Sequence, residues 1–208
     1  MGKSNRKIGI MGGTFDPIHN GHLIIAENAT EQFSLDKVYF IPTGLSPHKK
    51  DKLITSAEHR CNMISLAIED NTNFSLSLLE IQSREVNYTH KTLEKLKFAE
   101  PNTDFYFILG ADSLFSIENW ASPEQILKNC TVLVAGREHP DVEKLDTHIF
   151  YLCNRYNASI YRLYTPNFDV SSHDIRERVA QHTSIRYMVP LEVESYIAKN
   201  NLYISLIS

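Results

Sequence analysis

The sequence has little of what a membrane-embedded, secreted or disulfide-stabilised protein requires. It contains 3 cysteines in 208 residues and no C-x-x-C pair, so Cys61, Cys130 and Cys153 are expected to be buried thiols in a reducing cytoplasm. No apolar run approaches the roughly 18 residues of a membrane span. The polar segment 1–7 is not followed by the apolar core of a signal peptide. These absences predict a cytoplasmic protein.

Neither sign of charge dominates the chain. The 21 Lys and Arg residues against 25 Asp and Glu residues leave a net charge of −4, which argues against nucleic acid or an anionic membrane as the main partner. Hydrophobic and charged fractions near the globular average exclude wholesale disorder. Because no repeat or flexible linker divides the chain, one domain is expected over 1–208, with a helical C-terminal region at about 170–200.

Apolar segments of strand length alternate with amphipathic helical segments. The predicted strands are 7–11, 38–42, 74–81, 105–109, 131–135 and 159–163. Helices are predicted over 22–33 and from start signals at Thr55, Thr89, Ser122, Ser171 and Pro190. Strands that are apolar throughout are covered on both sides. The fold class is therefore predicted to be α/β, a doubly wound (Rossmann-like) parallel sheet with helices on both faces in a single domain.

The first predicted strand leads into a glycine-rich segment, Gly12-Gly13-Thr14-Phe15-Asp16-Pro17-Ile18-His19-Asn20-Gly21-His22. Adjacent glycines allow a tight turn and close approach of a ligand. A helix that begins near Asn20 or Gly21 directs its free N–H groups and positive dipole end toward the same space. This edge of a parallel sheet is where ligands bind, so a phosphate-bearing ligand is expected here.

Two histidines, His19 and His22, stand three residues apart at the start of that helix and can face one pocket. The dinucleotide pattern G-x-G-x-x-G fails at Thr14 and Pro17, and no Walker A pattern occurs, so neither a dehydrogenase nor a P-loop NTPase is favoured. A zinc site lacks a third nearby ligand, and the G-x-S-x-G of serine hydrolases is absent. Phosphate contact is favoured over a purely structural role for the pair.

The glycine-rich segment resembles the first signature of the nucleotidylyltransferase superfamily. A second segment, Val170-Ser171-Ser172-His173-Asp174-Ile175-Arg176, resembles the second signature, in which a Thr usually stands where His173 does. Further segments are similar, in the expected order, to the bacterial nicotinate mononucleotide adenylyltransferases: 41–49 with His48 and Lys49, 87–93, 110–120, 134–137 and 184–190. The resemblance spans roughly residues 7–199, nearly the whole chain.

This resemblance implies transfer of AMP from ATP to nicotinate mononucleotide, giving deamido-NAD and pyrophosphate in NAD biosynthesis. Mg²⁺ is expected to arrive with the ATP phosphates, because the sequence has no carboxylate cluster to form a resident metal site. The expected partners are ATP and nicotinate mononucleotide, without nucleic acid or membrane, and a homo-oligomer is left open. Two rivals stay open as well: a sister enzyme acting on nicotinamide mononucleotide or phosphopantetheine, and a non-catalytic nucleotide-binding regulator.

The resemblance also implies roles for individual residues. Catalytic contacts would come from His19, His22 and Arg176. ATP would be bound by Gly12, Gly13, Thr14, Phe15, His19, His22, Ser171, Ser172 and Arg176. The mononucleotide would be bound by His48, Lys49, Tyr88, Thr89, Asp112, Trp120 and Arg137. Simpler roles compete at several of these positions: helix capping for the two serines and Asp112, core packing for Trp120, and surface charge for His48, Lys49 and Arg137.

Overall fold

The sheet is entirely parallel and its strands are not arranged in chain order. The computed structural model describes residues 5–44, 54–83, 85–136, 142–166 and 168–204. Among them the strand order is β3-β2-β1-β4-β5-β6. The strands are β1 (Arg6–Gly13), β2 (Lys37–Pro42), β3 (Phe74–Leu76), β4 (Thr103–Gly110), β5 (Thr131–Ala135) and β6 (Ile160–Leu163). The predicted doubly wound sheet is confirmed, and its order reverses between β1 and β4, where a crevice for ligands forms.

Helices fill the connections between these strands. They are α1 (Asn20–Phe33), α2 (Ala57–Ile68), α3 (Thr89–Ala99), α4 (Ala111–Phe115), α5 (Pro123–Asn129), α6 (Val142–Tyr156), α7 (Ser172–Ala180) and α8 (Leu191–Lys199), with a 3₁₀ turn at Ile117–Asn119. In the part of the chain that the structure describes, no helix combines the length and the apolar character needed to cross a membrane.

Both faces of the sheet are buried because successive strand residues point to opposite sides. On one side, Ile10 and Phe107 belong to a buried cluster with residues of α3, α4, α5 and α6. On the other side, Met11 and Ile108 belong to a cluster with residues of α1, α2, α7 and α8. This double cover explains why the strands read as continuous apolar runs.

Two elements differ from the sequence predictions. The strand predicted over 74–81 ends at Leu76, since the chain then leaves the sheet in turns that bring Glu80 to a hydrogen bond from Thr92. Helix α6 was not predicted, although its apolar residues recur at helical spacing over 145–156 and pack on the α3 side. The apolar run 149–153 within it is therefore part of a helix. In addition, the cap of α2 is Ser56, whose Oγ accepts the His59 N–H, rather than Thr55.

The cysteines are free thiols with unequal burial. Cys130 is buried, and burial raises its pKa to about 12. Cys61 and Cys153 are only partly buried. The expectation of buried thiols is therefore correct for Cys130 and wrong for the other two, which lie on helices α2 and α6.

Candidate active site

The connection between β1 and α1 is not the tight glycine turn that the sequence suggested. Gly12 and Gly13 are the last two residues of β1, and neither has a positive φ. The left-handed residue is Phe15, with φ 51°, and its ring is buried. A Cβ at Gly13 would stand 3.2 Å from that ring. Glycine at this position therefore makes room for a neighbouring side chain, and the bend comes two residues later.

The two histidines lie in contact at the start of α1. His19 is the residue before the helix, is 7% exposed, and donates its backbone N–H to Nδ1 of His22 at 3.2 Å. The two rings lie 3.7 Å apart between centroids. Because Nδ1 of His22 accepts a hydrogen bond, the proton of the neutral ring belongs on Nε2.

Burial keeps both imidazoles neutral. It lowers the pKa of His19 to about 4, against the opposing effect of Asp174, and lowers the pKa of His22 well below its ordinary value, with a further contribution from His19. Nδ1 of His19 is buried and has no hydrogen-bond partner within the described residues. A Cβ at Gly21 would stand 3.0 Å from this nitrogen. Glycine here leaves the space in which a ligand can supply the missing partner.

The first N–H groups of α1 are not all free, in contrast to the expectation for a phosphate cradle. The Asn20 N–H donates to the carbonyl of Met188 at 2.9 Å, and its side-chain amide donates to the carbonyl of Tyr187 at 2.7 Å. Tyr187 has a positive φ of 65°. The segment 184–190 is therefore fastened to the start of α1, which fixes the direction in which the helix presents the histidines.

The second signature packs against the first. Ser171 caps α7: its Oγ accepts the Asp174 N–H at 3.1 Å and donates to the Asp174 carboxylate at 2.7 Å. Ser172 Oγ donates to the carbonyl of Pro17 at 2.8 Å, and Arg176 Nη1 donates to the carbonyl of Asp16 at 2.7 Å. Both signatures thus form one unit, although about 155 residues separate them.

The unusual His173 points away from this unit. Its side chain is 67% exposed, and Nε2 lies 3.3 Å from the Glu177 carboxylate, one turn further along α7. His173 therefore forms an exposed pair with Glu177, at a position where the superfamily usually has Thr.

One cavity of about 320 Å³ lies between the end of β1 and the start of α3. Among the predicted residues it brings together Tyr88, Thr89 and Trp120 with the backbone of Gly12, Gly13 and Thr14. Trp120 is half-buried and packs edge-to-face on Phe107, with 6.3 Å between ring centroids. The ring is thus held by the core while it lines the cavity, which combines the two roles considered for it.

A second cavity of about 450 Å³ lies beyond the carboxyl ends of β4 and β5. It is lined by His19, Gly21, Asp112 and Phe168, together with apolar residues of α1. Asp112 is exposed in the first turn of α4. The structure therefore groups Asp112 with His19, apart from Tyr88 and Trp120, with which the resemblance had placed it.

Three predicted site residues, His48, Lys49 and Arg137, lie outside the described residues. The remaining predicted residues all lie at the carboxyl end of the sheet: on the last two residues of β1 and the turn after it, in the first turns of α1 and α7, at the starts of α3 and α4, or on the loop before α5.

Sequence reasoning missed Glu80, which lines the first cavity. Its carboxylate accepts the Thr92 hydroxyl at 2.8 Å and the backbone N–H of Gly44, while burial raises its pKa. The carbonyl of Glu80 also accepts the Asn87 side-chain amide at 3.1 Å. A charged residue between Leu79 and Ile81, inside a segment read as a strand, was the available signal.

Sequence reasoning also missed Arg60 and Asp16, two buried charged residues that lie behind the turn. Arg60 is 4% exposed and donates to three carbonyls, those of Thr14, Thr43 and Thr55, at 2.8, 2.9 and 3.1 Å. Asp16, also 4% exposed, accepts the Thr55 N–H at 3.2 Å. The signal was a charged residue on the face of α2 that also carries Ile64 and Ala67.

Comparisons with known proteins identify the family of this chain. A family model described as cytidylyltransferase-like matches residues 10–178. A relative from Lachnoclostridium phytofermentans, named as a probable nicotinate-nucleotide adenylyltransferase, is 43% identical over 96% of this chain and 100% of its own length. A relative of the same name from Thermoanaerobacter sp. is 41% identical over 95% of this chain and 94% of its own.

A solved structure is also similar. It is a Plasmodium falciparum nicotinic acid mononucleotide adenylyltransferase complexed with NaAD, with a TM-score of 0.78 and 24% identity over 95% of this chain and 97% of that one. At this level of identity the likeness establishes the fold.

The depressed pKa of His19 predicts how stability depends on pH. In the unfolded chain His19 has a pKa near the ordinary value of 6.5, whereas in the folded protein its pKa is about 4. The free energy of unfolding should therefore fall as pH drops through this window, by up to about 3 kcal/mol from His19. In His19→Asn, which keeps a good capping residue, the fall should be smaller. Urea unfolding between about pH 7 and pH 4.5 measures both curves; parallel curves would contradict a buried neutral His19.

Proposed function

The chain belongs to the nicotinate-nucleotide adenylyltransferase family, and on this premise we propose that it transfers AMP from ATP to nicotinate mononucleotide in NAD biosynthesis. The family and the enzyme class were predicted from the sequence motifs, the fold was predicted from the alternation of strands and helices, and each is confirmed. The individual site residues below are proposals, argued from their geometry.

One observation carries the assignment of the site: the turn that bears His19 and His22 separates two cavities. Gly12 and Gly13 line the cavity next to α3, whereas His19 lines the cavity beyond β4 and β5. A reaction that joins two nucleotides through their phosphates needs two binding spaces that meet at a phosphate-stabilising element. The turn and its histidines have that position.

The cavity next to α3 suits the pyridine ring of the mononucleotide. Trp120 and Phe107 offer aromatic surface, and the ring of Trp120 is already held in place. Thr89 is the first residue of α3, and the first intrahelical donor is Thr92, whose N–H bonds to Tyr88. The N–H groups before it are unsatisfied by the helix and carry its positive dipole end, so they suit a carboxylate.

The cavity beyond β4 and β5 suits ATP. Its opening is lined by Asp112 and by His19 with its unpartnered ring nitrogen, while Ile24, Ile25 and Phe168 provide apolar surface for a base. Arg176 lies against the backbone of the turn at Asp16, where its charge can meet a polyphosphate. Ser171 and Ser172 hold α7 in register with the turn, so we assign them to positioning the ATP site.

The reaction needs alignment more than a protein nucleophile. The phosphate of nicotinate mononucleotide is ionised near neutral pH; its oxygen attacks the α-phosphorus of ATP, and the bond from that phosphorus to the bridging oxygen breaks to release pyrophosphate. The chain must hold the two phosphates in line and stabilise charge as it moves onto the leaving group. Neutral imidazoles serve this purpose as N–H donors, and Arg176 adds a permanent charge.

Mg²⁺ fits this site as an ion that enters with the triphosphate. Among the described residues no group of three or more His, Cys, Asp or Glu side chains could hold a metal by itself. The site therefore suits an ion bound chiefly by phosphate oxygens and water, with Asp112 as the carboxylate that lines the ATP cavity. When bound, the ion would neutralise phosphate charge.

The assay that tests the function is pyrophosphate release with ATP and a panel of acceptors. Nicotinate mononucleotide should give the highest kcat/KM, because nicotinamide presents NH₂ donors to N–H groups that need an acceptor. Two hydrogen bonds to a charged group imply a preference of very roughly 10²–10⁴. Equal values for the two pyridine mononucleotides would refute the nicotinate assignment and leave adenylyl transfer standing. ATP binding without pyrophosphate release would instead indicate a regulator.

Two substitutions of His22 form a matched pair, because Nδ1 accepts a hydrogen bond from the His19 N–H whereas Nε2 carries the proton that can be donated. Asn places an acceptor near Nδ1 and can keep the bond from the His19 N–H, but it removes the donor at Nε2. Gln places its amide near Nε2. We expect His22→Asn to lower kcat by roughly 10²–10³ with ATP affinity changed little, and His22→Gln to lose less. Steady-state kinetics on both folded variants makes the comparison; equal kcat for His22→Asn and wild type would remove the proposed role.

Thr89 provides a test of recognition by the backbone. Proline is well tolerated at the first position of a helix, and the preceding Tyr88, with φ −112° and ψ 138°, already has the conformation that proline requires. Thr89→Pro should therefore fold, lose one N–H, and reduce the preference for nicotinate over nicotinamide by roughly tenfold.

The control is Thr89→Ala, which removes the side chain and keeps the N–H. Its kcat/KM ratio for the two acceptors should stay close to that of the wild type. If Ala changes the ratio as much as Pro does, the threonine hydroxyl reads the acceptor and the backbone explanation is wrong.

A further inference from the structure

We propose that Tyr203, near the C-terminal end of the described chain, is a positioning residue for the turn that carries His19 and His22. The proposal rests on the proposed function for its kinetic consequence. Its basis is a contact between the two ends of the sequence: the Tyr203 hydroxyl donates to Asp16 Oδ1 at 2.8 Å, across 187 residues.

Tyr203 is placed for this contact by the chain after α8. The Leu202 N–H donates to the carbonyl of Ile197 at 3.1 Å, and Tyr203 itself has a positive φ of 68°. Its side chain is buried, with 8% of the residue exposed. A left-handed tyrosine is uncommon and strained, so the packing that holds it must over-determine its conformation.

Asp16 links that hydroxyl to the catalytic turn. One carboxylate oxygen accepts from Tyr203 and the other accepts the Thr55 N–H, while its own carbonyl accepts Arg176 Nη1. The residue is almost fully buried and stands three positions before His19. A change in the side-chain bonds of Asp16 therefore acts directly on the acceptor of Arg176 and on the backbone that leads to the histidines.

Arg60 constrains the same turn through a separate set of hydrogen bonds. Its three bonds to the carbonyls of Thr14, Thr43 and Thr55 surround the same turn, and the attraction of Asp16 counters the effect of burial on its charge. With the Tyr203 hydroxyl removed, Oδ1 of Asp16 loses its partner in a buried place, and the carboxylate is free to shift toward Arg60. The turn between them would shift with it.

The matched control is Tyr196, in the adjacent helix α8. Its hydroxyl lies 2.9 Å from His59 Nδ1 and accepts the Asn62 side-chain amide at 2.9 Å, so it joins α8 to α2 without touching the turn. Tyr196→Phe and Tyr203→Phe make the same chemical change in the same region. A general loss of stability would lower kcat in both variants, whereas a positioning effect would lower kcat in Tyr203→Phe alone.

The kinetic test compares kcat and KM for ATP and nicotinate mononucleotide in the three proteins. Tyr203→Phe should lower kcat by roughly 10- to 100-fold with little change in either KM, and Tyr196→Phe should stay near wild type. Combined with Asp16→Ala, which removes the acceptor, Tyr203→Phe should add no further loss, because both changes break the same contact. Equal kcat values for Tyr203→Phe and Tyr196→Phe, or additive losses, would overturn the proposal.

A second measurement does not depend on turnover. The imidazole proton signals of His19 and His22, assigned with the corresponding Asn variants, should shift in Tyr203→Phe and remain in place in Tyr196→Phe. Unchanged signals in Tyr203→Phe refute the positioning role even if the wild type proves inactive with nicotinate mononucleotide, which would refute only the proposed function. If Tyr203→Phe does not fold, Asp16→Ala breaks the same contact from its other side, and a folded Asp16→Ala with unshifted signals refutes the positioning role too.

Discussion

The site depends on how the chain satisfies backbone groups that it buries behind the first turn. Three carbonyls, just after β1, just after β2 and just before α2, point inward, and the Arg60 guanidinium donates a hydrogen bond to each of them. A buried cation is unfavourable unless it is paired and fully hydrogen-bonded, and Asp16 provides the opposite charge nearby. Removing either member would leave an uncompensated charge, and removing Arg60 would also leave three carbonyls without their donor, so the turn has one stable position.

Much of the fold could be predicted because its signals are local. The start of α7 is determined by Ser171 and Asp174 within one helical turn, and Pro123 fits only the first turn of α5. The parallel sheet follows from strands that are apolar on both sides. Helix α6 escaped prediction because a short apolar run fits either a strand or one face of a helix. Strand β3 ended early because Glu80 has polar partners outside the sheet, on α3 and after β2.

The candidate site was predictable only in part, because the contacts that support it join residues that are distant in sequence. The motifs named the histidines, the serines and Arg176, and the structure brings all of these to one turn. No local pattern could show that Arg60 and Tyr203 meet Asp16, because their partners are distant in sequence and their chemistry is ordinary. Long-range polar contacts are fixed by packing, which is why the residues that hold the site were harder to foresee than those that form it.

In the function we propose, the arrangement separates recognition of the two nucleotides from the chemistry between them. The cavities on either side of the turn differ in character: one offers Trp120 and helix N–H groups, and the other offers apolar surface, His19 and an exposed carboxylate. Between them lie the two imidazoles that burial keeps neutral, which in the function we propose would donate hydrogen bonds without adding a buried positive charge. Charged histidines would bind ground-state phosphates more tightly, whereas positioned neutral donors, held by a rigid frame, can favour the charge that develops during transfer.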